Sequence, residues 1–496
     1  MYDAGATLQL DPVILSQNLI LFSLFVEDWV KKNMNPLDFT DDLTFQFWIE
    51  HSSYSGPRAQ VLIVTFRDWL QNNLPAELLN MKKVRLVKAF IKDEFLMDWK
   101  TPRGIYSRSD QFKIIVGPIF KAIETRLFCG INTAKYFIKK IPVQLRAQFI
   151  LDNVLHAGGT AFASDYTSFE AHFTSELMES CENILYDHMV SGIQEPWFRK
   201  ALNVIGGENH ITFKWFDVRQ KATRMSGEMN TSLGNGFTNL MVLLYLSKIT
   251  GNEVNCVVEG DDALAVFNKG GLTNEDFRSL GLTVKLERHD NPTHASFCGL
   301  VFDIVDKQCV TDVVYTLSTF GWGNKKYSGS SPAFRKTLLK AKALSMAAQF
   351  PGCPVLSKLA FKLLKQTGHT NIRKSTVDEM DSYHKAQYHY DVNLWLSGKV
   401  FVEEPGANTR KLVEDKFNVS ITLQYLWEQI IDSWDGKQWL HLGFMDPMPK
   451  QFIDNFYIYV GDEHFEPPPR VQKVVSEWMK DKIKTENMSL PEWVAG

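Results

Sequence analysis

The sequence predicts an α+β protein in which a small antiparallel sheet is flanked by helices. Two strand-like runs, Val254–Val258 and Ala263–Phe267, enclose Glu259-Gly260-Asp261-Asp262. A glycine followed by two aspartates is turn chemistry, so this unit reads as a β-hairpin with acids at its tip. A third short run, Thr160-Ala-Phe-Ala-Ser164, reads as a strand ending at Asp165. Apolar residues at helical spacing lie on both sides of these runs.

Taken in order, residues 1–80 look mostly helical, with Phe22, Phe25, Val26 and Trp29 on one stripe. The most apolar stretch, Val13–Val26, is short and broken by Ser16, Gln17, Asn18 and Ser23. No window reaches the about 18 uninterrupted apolar residues of a membrane span, so no integral membrane segment is expected. The stretch reads as a buried helix, with an interfacial membrane helix as the alternative. From about 82 to 126 the chain is basic and irregular, punctuated by Pro102, Gly104, Gly117 and Pro118. After Asp165, the spacing of Phe169, Phe173, Leu177 and Cys181 predicts a helix. Ile211, Phe213 and Trp215 alternate with polar residues as a strand does. Gly227 permits a sharp loop before a helix carrying Leu233, Phe237, Leu240 and Leu244. Beyond about 320 the chain reads as mainly helical, and Pro467, Pro468 and Pro469 mark a break before the C-terminal tail.

The 496 residues are 45% hydrophobic and 22% charged, an ordinary globular composition. The net charge of −3 hides a local field: Lys82 to Lys140 holds 14 Lys plus Arg against 5 Asp plus Glu. Such a segment suits a charged channel or groove as well as a solvated basic face. None of the six cysteines forms a CxxC or CxxH pair, which argues against a zinc site, and their scatter suits a reducing, intracellular compartment.

Adjacent acids on a tight turn repel one another, and turns favour Asp for that conformation alone. A divalent cation changes the balance, because hard carboxylate oxygens suit Mg²⁺. Asp165, at the end of another strand-like run, is the natural third ligand beside Asp261 and Asp262. Three carboxylates on two strand ends would hold a pair of ions suited to phosphoryl transfer. Thr231 and Asn235 are four residues apart and share a helix face, where a hydroxyl and an amide suit a ribose 2′-OH. Ordinary polar residues of an N-capped helix would look the same.

These pieces, in this order, resemble the motifs of viral RNA-dependent RNA polymerases of positive-strand RNA viruses, most closely the tombusvirus-like and flavivirus-like lineage. The motifs are Asp165-Tyr-Thr-Ser-Phe-Glu170, then Ser226-Gly227 through Thr231 to Asn235, then Gly260-Asp261-Asp262. Leu280 to Glu287 and Ser296 to Asp303 resemble the two motifs that follow. Val87 to Glu94 and Pro102 to Arg108 resemble the basic fingers motif.

The resemblance implies a right-hand fold. Residues 1–157 would form an N-terminal extension and fingers, 158–195 and 225–318 the palm, 196–224 a fingers insertion, and 319–496 the thumb and tail. It implies two Mg²⁺ or Mn²⁺ ions on Asp165 and Asp261, with Asp262 a weaker or indirect ligand. Lys92 and Arg103 would clamp the triphosphate, helped by Arg108. Ser226, Gly227 and Thr231 would belong to the same substrate site. Asn235 would read the ribose together with Glu170, which stands where the lineage usually has Asp. Lys285 would protonate the pyrophosphate, although a solvent-facing strand lysine fits its position as well. Phe297-Cys298-Gly299 would form a primer-grip hairpin. The implied partners are an RNA template, nascent RNA and nucleoside triphosphates, together with other viral replication proteins and, indirectly, host membranes. The implied place is the host cytoplasm, at membrane-associated replication complexes. A reverse transcriptase usually has an aromatic and a variable residue before the paired aspartates, where this chain has Glu259-Gly260. An inactive palm-like RNA-binding protein would not need all three acids.

Overall fold

The computed structural model describes residues 10–52, 54, 56–71, 73–92, 102–157, 159–320, 327, 329–368, 403–436, 440 and 442. The Pro467–Pro469 break, and Asp93 and Glu94 of the basic motif, lie outside the described residues. Within them are strands β1 Val87–Ile91, β2 Gly104–Arg108, β3 Thr160–Tyr166, β4 Glu208–Thr212, β5 Asp217–Lys221, β6 Val254–Glu259, β7 Asp262–Phe267, β8 Val284–His289, β9 Val301–Phe302 and β10 Cys309–Val310. They pair as two four-stranded sheets, β6-β7-β3-β8 and β2-β1-β4-β5, and the small hairpin β9–β10.

The β6-β7-β3-β8 sheet is antiparallel throughout. Its inner strands read as unbroken apolar runs because both faces are covered, and side chains alternate between the faces. Cys256, Val258, Phe162, Ala263, Ala265 and Phe267 join the large core with the helix Thr231–Ile249. Val257, Ala161, Leu264 and Val266 join a second core with the helix Val143–Asn153 and with Phe297 and Leu300. The helix Thr231–Ile249 is apolar on nearly every face and correspondingly buried, as a core helix must be.

The N-terminal region is mostly helical where described. Its first helix, Pro12–Asn33, is longer than the apolar stretch suggested. Glu27 and Asp28 continue it on the solvent face, ion-paired four residues on with Lys31 and Lys32. Leu19, Phe22, Val26, Trp29 and Val30 are buried, whereas Val13, Ile14, Ile20, Leu21 and Leu24 are exposed. By length and composition alone this helix could cross a membrane.

Three expectations differ from the structure. The stretch containing Gly117 and Pro118 is not irregular but part of a 20-residue helix, Asp110–Cys129. A mid-helix Pro and Gly cost about 4 kcal/mol together. Burial of Phe112, Ile115, Val116, Ile119, Phe120 and Ile123, at about 1.5–3 kcal/mol each, outweighs that cost. Gly117 also leaves room for the Trp48 ring against the helix backbone. After Asp165 there is no single helix. A 3₁₀ turn, Phe169–His172, ends before Thr174 caps a new helix, Ser175–Ser180. Phe169, Phe173, Leu177 and Cys181 are all buried regardless. Strand β4 stops at Thr212, and Phe213 to Phe216 turn into β5, leaving Trp215 exposed.

Residues 301–442 hold a separate core, in which the helices Pro332–Gln349, Leu356–Thr367, Ala407–Phe417 and Ile421–Ser433 bury Leu344, Leu356, Leu363, Val413 and Trp427.

Candidate active site

The β6–β7 hairpin has the shortest turn a ladder allows. Glu259 pairs with Asp262, leaving Gly260 and Asp261 as the two turn residues. Gly260 has φ 61°, the value at the first central position of a type II′ turn and one that an L side chain resists. Asp262 begins β7, and β7 lies beside β3 with Ser164 opposite Ala263. The ladder ends at that pair, so Asp165 and Asp262 are the next residues beyond it on the two adjacent strands. On its other side β3 pairs Asp165 with Lys285 of β8.

The acids share one electrostatic field. Burial, reinforced by the Asp262, Glu170 and Asp165 carboxylates, pushes Asp261 up to about 6. Burial and then Asp165 raise Asp262, against a hydrogen bond donated by the Cys298 thiol. Burial also raises Glu259, opposed by Lys139 and Arg146. Crowded, half-buried carboxylates without enough positive charge are the donor set a hard divalent cation takes. Among the described residues no three His, Cys, Asp or Glu side chains are grouped closely enough to hold an ion; Asp165, Asp261 and Asp262 share only oxygen-donor chemistry and neighbouring strand ends.

One buried amide holds this tip in place. Asn239 donates through Nδ2 to the carbonyl oxygens of Gly260, Asp261 and Asp262 at 3.1, 3.0 and 3.2 Å. Its Oδ1 accepts from the Tyr166 hydroxyl at 3.2 Å, and Tyr166 directly follows Asp165. Burial, then the nearby Asp261 charge, keeps that phenol protonated. Sequence reasoning overlooked Asn239. Its signal was the polar ladder Thr231, Asn235, Asn239 at four-residue steps along an otherwise apolar helix.

The expected sugar-reading pair is in contact, since Asn235 Nδ2 donates to Glu170 Oε1 at 3.4 Å. Asn235 is itself buried, and its Oδ1 accepts from Arg224 Nε at 3.2 Å. Arg224, which the sequence did not single out, is fully buried, ion-paired with Glu182 at 2.5 Å and seated over the Phe173 ring. Thr231 spends its hydroxyl hydrogen on the carbonyls of Met225 and Glu228.

Ser226 and Gly227 dock on β2. The Tyr106 N–H donates to Ser226 Oγ at 3.1 Å, and the Gly227 N–H donates to the Tyr106 carbonyl at 2.7 Å. Gly227 was expected to serve a sharp loop. The structural need is close approach, since a Cβ there would sit 2.7 Å from the Tyr106 oxygen.

Lys92 and Arg103 meet just beyond the Ile91–Gly104 pair, at the loop end of the β1–β2 hairpin, where the Lys92 N–H donates to the Arg103 carbonyl at 2.8 Å. Arg108 does not join them as a phosphate helper. It is buried, with Nε donating to Glu228 Oε1 at 2.6 Å and the other nitrogens donating to the Arg85 carbonyl and Asn209 Oδ1. Those bonds consume the fork that would grip phosphate. Lys285 stands beside Asp165 but is exposed and ion-paired with Glu287 at 2.6 Å. Phe297 and Leu300 bridge across a two-residue turn in which Cys298 has φ 52° and Gly299 φ 73°. This turn brings the Cys298 thiol to Asp262.

Acids gathered at one end of a sheet thus coexist with a separate pair of cations at the edge of a second sheet. The family model for viral RNA-dependent RNA polymerase matches residues 76–434, and the chain belongs to that family. It is 25% identical over 225 residues to the RNA-directed RNA polymerase of Pothos latent virus (isolate Pigeonpea/India), covering 42% of this chain and 30% of that protein. It is 23% identical over 218 residues to the RNA-directed RNA polymerase of Tobacco necrosis virus (strain A), covering 41% of this chain and 30% of that protein. The matched stretch spans under a third of each relative's length.

Proposed function

We propose that this chain synthesises RNA on an RNA template, joining nucleoside triphosphates to a growing 3′ end. The observation that carries the reading is the register of β3, β6 and β7, which gathers Asp165, Asp261 and Asp262 at one sheet end. The β6-β7-β3-β8 sheet with the Thr231–Ile249 helix is the palm in this reading. The β2-β1-β4-β5 sheet belongs to the fingers, and the helices after about 319 belong to the thumb.

In the reaction, the 3′-hydroxyl oxygen bonds to the α-phosphorus as the α–β bridging bond breaks and pyrophosphate leaves. Asp165 and Asp261 would hold the divalent cations, Mg²⁺ or Mn²⁺, with Asp262 beside them. Two bound ions supply the charge that activates the hydroxyl and stabilises the leaving oxygen. Lys92 and Arg103 hold the triphosphate. Asn235 and Glu170 select ribose. Lys285, once released from Glu287, is placed to give its proton to the pyrophosphate.

The deciding experiment incubates the pure protein with a primerless RNA template, labelled nucleotides and Mg²⁺, and repeats it with Asp261→Ala. Template-dependent product from the parent, with none from the variant and RNA binding retained, supports the reading. Product on a DNA template from deoxynucleotides would make it a reverse transcriptase instead, and RNA binding without synthesis by the parent would make it an inactive binder.

A further inference from the structure

At the other end of the fingers-type sheet lies a cavity of about 490 Å³, walled by the chain just before β1, the helix Trp197–Ile205 and strands β4 and β5. Its wall carries Lys82, Arg85, Lys200 and Arg219, with His210, against Glu208, and Asp217 lies 3.4 Å from the His210 ring. Neutral acceptors orient two of these cations without cancelling their charge. Lys200 Nζ donates to the Ala76 carbonyl at 3.0 Å, and Arg85 Nη2 donates to the Asn80 carbonyl at 3.4 Å. Arg219 lies 3.6 Å from Glu208, but both are well exposed, and such pairs neutralise little in water.

We propose that this cavity is a phosphate-binding site that grips the backbone of an RNA strand outside the palm. Cations from three separate segments converge on it, which is the footprint of an anionic ligand rather than of one solvated helix face. No Phe, Tyr or Trp lines it, so nothing in its wall stacks a base. Contact of this kind reads phosphate and not sequence, as a strand of any template requires. The cavity is not the triphosphate clamp. Arg85 precedes β1 and Lys92 follows it, so the five residues of that strand keep the two sets of cations about 17 Å apart. The strand would therefore meet positive charge at both ends of β1.

The proposal takes from the RNA-synthesis reading only the identity of the strand, and it is tested without synthesis. The probe is a fluorescein-labelled single-stranded RNA, titrated with the full chain across a salt series in the absence of nucleotides. The variant is Lys82→Gln/Lys200→Gln/Arg219→Gln, with the corresponding Arg replacements at Lys82 and Lys200 as the charge-preserving control. Each lost phosphate contact on single-stranded nucleic acid removes about 0.7 from the slope of log K against log salt, so the triple variant should lose roughly two. Its affinity at low salt should fall about tenfold or more, while the charge-preserving control binds like the parent.

An unchanged slope and affinity in a folded triple variant would overturn the proposal. So would unchanged RNA binding with a raised KM for nucleotides, which would make the cavity a site for the free triphosphate. A reduced slope in the triple variant, with a parent that makes no RNA, would sink the polymerase reading and leave the cavity assignment standing.

Discussion

Asn239 donates to the carbonyl oxygen of Asp261 at 3.0 Å while its own carbonyl accepts from Tyr166. The same helix begins at Thr231, a few residues after Ser226 and Gly227 dock on β2. A short turn and the helix that follows it thus run from the β2 strand to the turn that carries the acids.

Asn239→Ala leaves three carbonyls and a phenol without their shared partner. An unpaired buried group costs about 1–3 kcal/mol, so kcat should fall roughly ten- to hundredfold. KM for nucleotides should stay within about twofold, because Lys92 and Arg103, the proposed triphosphate ligands, are untouched. Asn239→Asp should be worse, since it sets a carboxylate against the same carbonyls. Single-nucleotide extension at saturating template measures both constants. A lower melting temperature with normal kcat would assign Asn239 to folding alone.

The raised Asp261 gives a pH signature in the metal-free protein. The unfolded chain releases this proton near 3.8, and the folded chain only near 6. Between those values the folded state holds more protons, so its stability falls as pH rises through the window. Asp261→Asn should therefore melt higher than the parent above about pH 6 and converge with it below about pH 4. Mg²⁺ should raise the melting temperature of the parent and not of the variant. Thermal melts with a chelator and with Mg²⁺ read both effects, and parallel curves at every pH would remove the crowded-carboxylate account.

Arg103 and Arg108 should separate cleanly. Arg103→Ala should raise KM for nucleotides several-fold, with template affinity nearly unchanged. Arg108→Ala leaves Glu228 buried without its partner, which costs about 3–5 kcal/mol of stability. Urea unfolding would show that loss. If Arg108→Ala instead unfolds like the parent and raises KM, it contacts the triphosphate after all.

Asn235→Ala should slow ribonucleotide incorporation and narrow the gap to deoxynucleotides by about one to two orders of magnitude. Glu170→Asp should keep discrimination if the shorter acid still reaches the sugar. Arg224→Lys keeps charge beside Glu182 but loses the planar fork that also reaches Asn235. It should move discrimination in the same direction as Asn235→Ala. Competition between a ribonucleotide and its deoxy analogue is the measurement. Discrimination equal to the parent in Asn235→Ala would reduce that side chain to packing.

What the sequence by itself determined was local. The Gly260-Asp261 turn follows from a residue able to take positive φ between two runs buried on both faces, and the order of motifs marked Asp165 as its companion. The spacing of Phe169, Phe173, Leu177 and Cys181 pointed to one helix and missed the break at Thr174, although all four are buried. The tertiary structure decided which polar groups face one another. Arg108 carries the same guanidinium as Arg103, yet Glu228 and Asn209, distant in sequence, claim its donors. Asn239 resembles any amide on a helix until β3 and the β6–β7 turn arrive beside it. Backbone conformation depends on a few neighbouring residues, whereas a buried side chain's role depends on the partners that remain once water is gone, and those come from anywhere in the chain.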